Sequence, residues 1–377
     1  MTITFFLVTL NHHQVCVADE LYRLIGDGFK FVELSEKCED KGDSTDYSTR
    51  DYLICDWLNI SNHRLAMSLL LSSDICVFGG YESFKLFRIR AKKGLLSYVI
   101  SERWLKKGLS NLMSPRLLPQ FISYHLFLRN RPVYMLCASA FAARDFSRLY
   151  MYKGRCLKWG YFTKVSDQTI SDKDRHSNNV TTIMWCARFI NWKHPELPIL
   201  LAKNLKERNI RFSIDMFGDG PEIKRCKKLC GELGVEDLVS FKGAQSNAVI
   251  LNEMKRHDLF LITSDKNEGW GAVLNEAMAS GCAVVASDEI GAAPYLIKDG
   301  FNGKVYRSDN VDSLTDTVVS LVNDTSMRHR LSYNAYQTIS QEWSPKAAAY
   351  NFVHLSDLLL RGQETDIQSG PCSLADY

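Results

Sequence analysis

A chain of 377 residues is long enough for two domains of ordinary size, each with its own core. Its 46% apolar and 24% charged residues are typical of a globular protein in water, and a net charge of +3 does not by itself indicate nucleic acid. No apolar run approaches the roughly 18 residues of a membrane helix. Eleven cysteines are odd in number and scattered, several of them inside strand-like runs (Cys76, Cys137, Cys186, Cys282). Neither a disulfide framework nor a zinc site is expected, and a reducing, cytoplasmic compartment follows.

The opening MTITFFLVTL lacks a basic leader and runs straight into Asn11-His12-His13-Gln14, so it reads as a first strand rather than a signal peptide. Thr4 to Leu10 is that strand, Val15 to Ile25 has helical spacing, and Phe29 to Leu34 returns to strand. Ile75 to Phe78, ending at Gly79-Gly80, is another buried strand, followed by Leu95 to Ile100 and Val133 to Ala138. This alternation predicts a doubly wound α/β domain. Asn11 to Gln14 reads as the loop after the first strand and is not Gly-rich. For His12 and His13, polar lining of a cleft, catalytic bases and structural caps all remain open.

Between Ser83 and Ser101 there are five basic residues and no acidic one, and from Arg103 to Arg144 seven more, again without Asp or Glu. Trp104, Leu112, Leu117, Leu118, Phe121 and Phe127 are interleaved with them. Such a stretch can dock on anionic lipid, bind nucleic acid, or be a solvated face over a core. Glu102 ends a strand and is the last acid before the longer basic segment. It suits a ligand contact or an ion pair with Arg103 or another nearby base. Residues 165–179 are polar and aperiodic, and they read as a linker.

The second half opens with the strand Thr181 to Ala187, then Arg188 and Lys193, two cations five apart before a helix around Pro195 to Arg208. Phe212 to Phe217 is a strand closed by the tight turn Gly218-Asp219-Gly220-Pro221, and Glu222 to Leu233 is a helix. Val239 to Gly243 and Leu259 to Thr263 are further strands. From Asp265 to Gly281 runs DKNEGWGAVLNEAMASG, a polar turn feeding a short helix, with Gly281 at a left-handed C-terminal cap. The strand Cys282 to Ala286 follows, then a Gly-containing loop, Asp288 to Pro294. From Ser313 to about Leu360 the pattern is helical, broken near Trp343-Ser344-Pro345. The tail after Arg361 is polar and expected to lack structure.

Glu268 and Glu276 frame the Asp265–Gly281 stretch with seven residues between them. Ligands of parallel sheets bind beyond the strands' carboxyl ends, where helix N-termini favour an anion such as a diphosphate. Carboxylates at the same mouth repel phosphate but accept hydrogen bonds from sugar hydroxyls. A ligand with both a pyrophosphate and sugars satisfies both halves.

The Glu-x7-Glu spacing within EGWGAVLNEAMASGCAVVAS closely resembles the signature of retaining glycosyltransferases of family 4, which have the GT-B fold. The resemblance is specific from Val180 to Tyr306. It implies two Rossmann-like doubly wound domains facing across a cleft. Residues 1–165 would bind the acceptor, 166–345 the nucleotide-sugar donor, 346–361 would form a helix crossing back, and 362–377 a polar tail. It further implies that Glu276 binds the ribose, Glu268 the transferred sugar, and Arg188 and Lys193 the diphosphate. Backbone amides of Gly269, Trp270 and Gly271 would face the donor's sugar or phosphate and Gly218 would neighbour its base, while His12, His13 and Glu102 would lie on the acceptor side. One departure is Ala187, where relatives usually have Gly.

The implied activity is metal-independent hexosyl transfer from a UDP- or GDP-sugar to a glycan or lipid-linked acceptor, in surface polysaccharide, capsule or lipopolysaccharide assembly. No separate cofactor and no nucleic acid partner is expected. Peripheral contact with the inner face of the membrane would use the basic segments 83–101 and 103–144. A GT-B nucleotide-sugar epimerase and a non-catalytic carbohydrate-binding scaffold are the alternatives.

Overall fold

The computed structural model describes residues 1–36, 47–165 and 180–375. They divide into two units, Met1–Lys164 together with Glu342–Tyr377, and Val165–Gln341. Of the linker at 165–179, all but Val165 lies outside the described residues.

In the first unit seven parallel strands form one sheet: β1 (Ile3–Leu7), β2 (Phe29–Glu33), β3 (Leu53–Cys55), β4 (Ile75–Gly79), β5 (Ser97–Ser101), β6 (Val133–Cys137) and β7 (Cys156–Lys158). Their order is β3-β2-β1-β4-β5-β6-β7. Every residue of β1 and β4 is buried. Helices cover both faces of such a sheet, which is why these strands read as continuous apolar runs rather than alternating ones. The chain order reverses between β1 and β4, the switch point at which open α/β sheets leave a crevice.

Asn11 to Gln14 is not a loop. Asn11 is the N-cap of the helix His12–Ile25, its side chain accepting from the backbone N–H of His13. Both histidines therefore sit on a helix's first turn. Arg90, counted above among surface cations, is fully buried. Its guanidinium donates to the carbonyls of Leu70, Ser73, Asp74 and Leu96 and ties two helix ends to the sheet.

The helix Pro345–Leu360 belongs to this first unit and packs along His12–Ile25. Ser344 caps it, accepting from the N–H of Ala347, and Pro345 occupies its first turn. Phe352 is fully buried against Phe5 of β1, Tyr98 of β5 and Trp159, with ring centroids 5.0–5.7 Å away. The end of the chain differs from the expectation of an unstructured tail. Cys372 is buried, and residues 372–375 pair antiparallel with the free edge of β7 through Lys158 N–H to Ser373 O at 2.8 Å and Cys372 N–H to Lys158 O at 2.7 Å. Covering an exposed sheet edge satisfies backbone groups that would otherwise invite pairing with another chain.

The second unit has six parallel strands: β8 (Thr181–Cys186), β9 (Phe212–Phe217), β10 (Val239–Gly243), β11 (Leu259–Ile262), β12 (Ala283–Ser287) and β13 (Lys304–Tyr306). Their order, β10-β9-β8-β11-β12-β13, again reverses between the first and fourth strands of the unit. Trp185, Phe189, Ile214, Leu261 and Val285 anchor its core, with Leu314 and Val318 of the helix Val311–Val322 packed onto it. Among the described residues no helix is long and apolar enough to cross a membrane.

Candidate active site

The loops leaving β8 and β11 are neighbours, because those strands pair with Leu259 opposite Ile183. The β8 loop carries Arg188 and Lys193, and the β11 loop carries Glu268. The two cations and the first carboxylate thus gather at one end of the sheet, at its switch point.

Close packing sets the shape of the β8 loop. Gly218 has φ +124°, and a Cβ there would lie 2.0 Å from the carbonyl oxygen of Ala187. Only glycine lets the turn after β9 approach the Arg188 loop so closely. The two segments are stitched by Ala187 N–H to Phe217 O at 3.2 Å and Phe189 N–H to Asp219 O at 2.9 Å. Gly218 therefore acts on the position of Arg188. The Arg188 side chain is exposed and makes no hydrogen bond or ion pair among the described residues.

Lys193 ends a short 3-10 turn, Asn191–Lys193. Its ammonium pairs with the Oε2 of Glu268, both side chains being nearly buried, and lies 4.6 Å from the centroid of the Trp192 ring. The Ser264 hydroxyl donates to the same Glu268 oxygen at 3.0 Å. Asp265 orders the turn between them by accepting from the N–H of Asn267 at 2.8 Å.

Glu276 lies in the helix Val273–Ala279, is 9% exposed, and accepts from Asn247 Nδ2 at 3.2 Å. Burial pushes the thiol of Cys186, at the end of β8, up to about 12; Glu276 adds to that rise and Lys193 opposes it. Both charges therefore act at the carboxyl end of β8. The helix ends as its sequence indicates. Cys282 N–H bonds to Ala277 O and Gly281 N–H to Met278 O, both at 3.0 Å, with Gly281 at φ +73°. These two bonds make a Schellman cap.

Gly269 and Gly271 line the same turn. The Trp270 side chain packs into the core. It is 1% exposed, and its indole N–H donates to Asn275 Oδ1 at 2.8 Å. This large apolar ring gains more from burial beneath the turn than from the solvated mouth, and the donor contact expected of Trp270 is one of its backbone amide.

His194 is a site residue that sequence reasoning missed. It sits in the left-handed region at φ 48°, ψ 57°. Its Nδ1 meets Glu196 Oε1 at 2.9 Å, and its Nε2 lies 3.2 Å from Asp309 and 3.5 Å from Asp265. The hydrogen bond with Glu196 raises its pKa above the usual 6.5; burial opposes this, and the charges of Glu196, Asp309 and Asp265 reinforce it. A raised imidazole pKa stabilises the fold fully below the unfolded value, and the contribution is lost as pH rises through the folded one. The melting temperature is therefore expected to fall on going from about pH 6.5 to above the His194 pKa, and His194→Asn, which tolerates the same backbone, should flatten that slope. Equal slopes in calorimetric scans of the two chains would contradict this.

In the first unit a cavity of about 760 Å³ opens at the carboxyl ends of β1, β4 and β5. His12, His13 and Glu102 all line it, with Tyr81, Arg116 and Tyr161. The ring of His13 stacks on Tyr161 at 5.7 Å. Glu102 accepts from Tyr161 Oη at 3.1 Å and pairs with Lys106 at 3.2 Å rather than with Arg103, which lies against the buried Asp145.

Residues 166–338 match the model of a family described as glycosyl transferases group 1. The match falls in the second unit and covers less than half of the chain's residues. The chain is 30% identical over 138 residues to the poly(glycerol-phosphate) alpha-glucosyltransferase of Bacillus subtilis (strain 168), covering 37% of this chain and 20% of that one. Over 194 residues it is 24% identical to the lipopolysaccharide 1,6-galactosyltransferase of Salmonella typhimurium (strain LT2), covering 51% and 50%. Among the first curated relatives it matches, the chain spans between a fifth and about half of their length. The structure of Anabaena HepE in complex with UDP superposes with a TM-score of 0.68 at 15% identity, over 94% of this chain and 99% of that one. The fold is GT-B, and its units are two parallel-sheet α/β domains.

Proposed function

We propose that this chain is a group 1 glycosyltransferase that moves a hexosyl group, with retention and without a metal, from a UDP- or GDP-sugar to a glycan or lipid-linked acceptor of surface polysaccharide or lipopolysaccharide assembly. The observation that carries the reading is the convergence of Arg188, Lys193 and Glu268 on the loops after two adjacent strands, with Glu276 acting at the same strand ends. Arg188 and Lys193 hold the donor's diphosphate, Glu276 accepts from the ribose hydroxyls, and Glu268 accepts from a hydroxyl of the transferred sugar. The bond from the anomeric carbon to the phosphate oxygen breaks as the bond to the acceptor oxygen forms on the same face. The acceptor's proton passes to the departing phosphate oxygen. Fixed cations stabilise the charge that develops there. The acceptor occupies the cavity of His12, His13 and Glu102.

The experiment is a thermal-shift screen against UDP, GDP and ADP and their common sugar conjugates, without metal and then with it. A metal-free shift with UDP or GDP that Glu276→Ala abolishes is the expected result. UDP goes first because HepE is solved with it. No shift with any nucleotide would sink the reading.

Membrane contact is part of the same proposal. Leu109, Met113, Ile122, Leu126 and Phe127 are 45–74% exposed, among Lys92, Lys107, Arg116, Arg129 and Arg131. Lys92 lies 4.7 Å over the ring of Phe127, joining the helix Phe84–Lys92 to the turn Tyr124–Leu128. Apolar side chains ringed by cations suit an anionic leaflet. The chain should sediment with vesicles containing anionic lipid and not with purely zwitterionic ones, and high salt should release it. Equal sedimentation with both would refute the contact.

A further inference from the structure

We propose that Thr263 is a positioning residue for Lys193, acting through the backbone of the loop that carries it; the functional part of this inference rests on the donor reading above. Thr263 follows directly on β11 and is 2% exposed. Its hydroxyl donates to the Lys193 carbonyl oxygen at 2.6 Å, with the His194 carbonyl the next acceptor at 3.2 Å. The same oxygen accepts the indole N–H of Trp185, on the neighbouring strand β8, at 2.8 Å.

The loop needs such a clip where the clip acts. Immediately after Lys193 the chain reverses through His194, a residue with a side chain in the left-handed region. That conformation costs free energy and persists only where its surroundings over-determine it. A second bond, Asp265 N–H to Trp192 O at 3.1 Å, holds the same loop from the next turn. One hydroxyl thus ties the strand end that leads to Glu268 to the carbonyl of the residue whose ammonium pairs with Glu268. The indole of Trp185 donates to the oxygen while the hydroxyl's own proton goes to Lys193, so the two bonds are separate.

Three variants separate positioning from mere packing. Thr263→Val keeps the shape and removes the hydroxyl. Thr263→Ser restores the hydroxyl. Trp185→Phe removes a buried hydrogen bond from the same oxygen but leaves the bond to Lys193. Thr263→Ala is carried in parallel as a less crowded removal, should the valine chain fail to fold.

Two readouts are taken at a temperature where each chain is folded. One is amide hydrogen exchange over residues 191–197, and the other is the calorimetric affinity for metal-free UDP and GDP. In Thr263→Val and Thr263→Ala, exchange should quicken about tenfold and affinity fall about five- to tenfold, as expected for losing one buried hydrogen bond. Thr263→Ser should return both towards the parent. Trp185→Phe should lower the melting temperature while leaving both readouts within about twofold.

Folded valine and alanine chains with both readouts unchanged would overturn the clip. So would a Trp185→Phe chain that loses as much as Thr263→Val. A parent chain that binds neither nucleotide would refute the donor reading alone, and the exchange measurement still decides the clip.

Discussion

Lys193→Ala is expected to lower kcat/KM by about two to three orders of magnitude, the usual effect of removing one charge-stabilising donor from an enclosed site. Two consequences of the ion pair lead there. The ammonium is the nearly buried cation set against Glu268, so its loss removes positive charge from where the diphosphate is proposed to depart. It also leaves the nearly buried Glu268 carboxylate without its lysine partner, with the Ser264 hydroxyl still donating to it.

The division between kcat and KM decides what the lysine does. A fall in kcat with little change in KM would assign it to the departing phosphate, whereas a rise in KM alone would assign it to ground-state donor binding. Lys193→Ala with Glu268→Gln should recover much of the melting temperature lost in the single variant, because no unpaired charge stays buried. It should recover no activity. Steady-state kinetics of the three chains, with their thermal transitions, provides the check. An unchanged kcat/KM in Lys193→Ala would remove this residue from the mechanism.

The second unit was far more legible in the sequence than the first, and the reason is physical. Its strands β11 and β12 are fully buried apolar runs on either side of a Gly-bearing turn and short helix, and Ala277, Met278 and Gly281 make the cap that their spacing indicates. Glu268 and Lys193 are 75 residues apart in sequence, and only the adjacency of β8 and β11 makes them partners. The first unit hides its edges. β3 and β7 have three residues each, too short for any period to show, and residues 372–375 acquire structure only because the β7 edge is there to receive them. Asn11 carried a legible N-cap signal, but the polar run His12-His13-Gln14 masked the first turn of the helix that Val15 to Ile25 revealed. Arg90 misled for the opposite reason. Its charge read as a surface feature, whereas four backbone carbonyls hold it inside.

Trp270 illustrates the same limit, and it carries the largest stability effect expected here. Trp270→Ala should destabilise the chain by about 3–5 kcal/mol, the range for deleting a buried aromatic side chain. For a domain of this size that lowers the melting temperature by roughly 6–20 °C. Trp270 is held at three points. Its indole lies 6.1 Å from the ring of Tyr295 and donates its N–H to Asn275, and its backbone carbonyl accepts from Ala292 N–H at 2.9 Å. It therefore pins the Glu268 turn from below to the helix Ala293–Leu296 and to the Glu276 helix. Trp270→Phe keeps most of the volume and loses the bond to Asn275, so about 1 kcal/mol is expected.

Donor affinity discriminates the core role from a ligand contact. Measured well below its melting temperature, Trp270→Phe should bind metal-free UDP or GDP within about twofold of the parent, since no hydrogen bond to the nucleotide is lost. A large loss of affinity with a nearly unchanged melting temperature would instead place the indole at the donor's surface. The two proposals for this turn, a carboxylate that touches sugar and a tryptophan that only supports it, are thus separable in one pair of measurements.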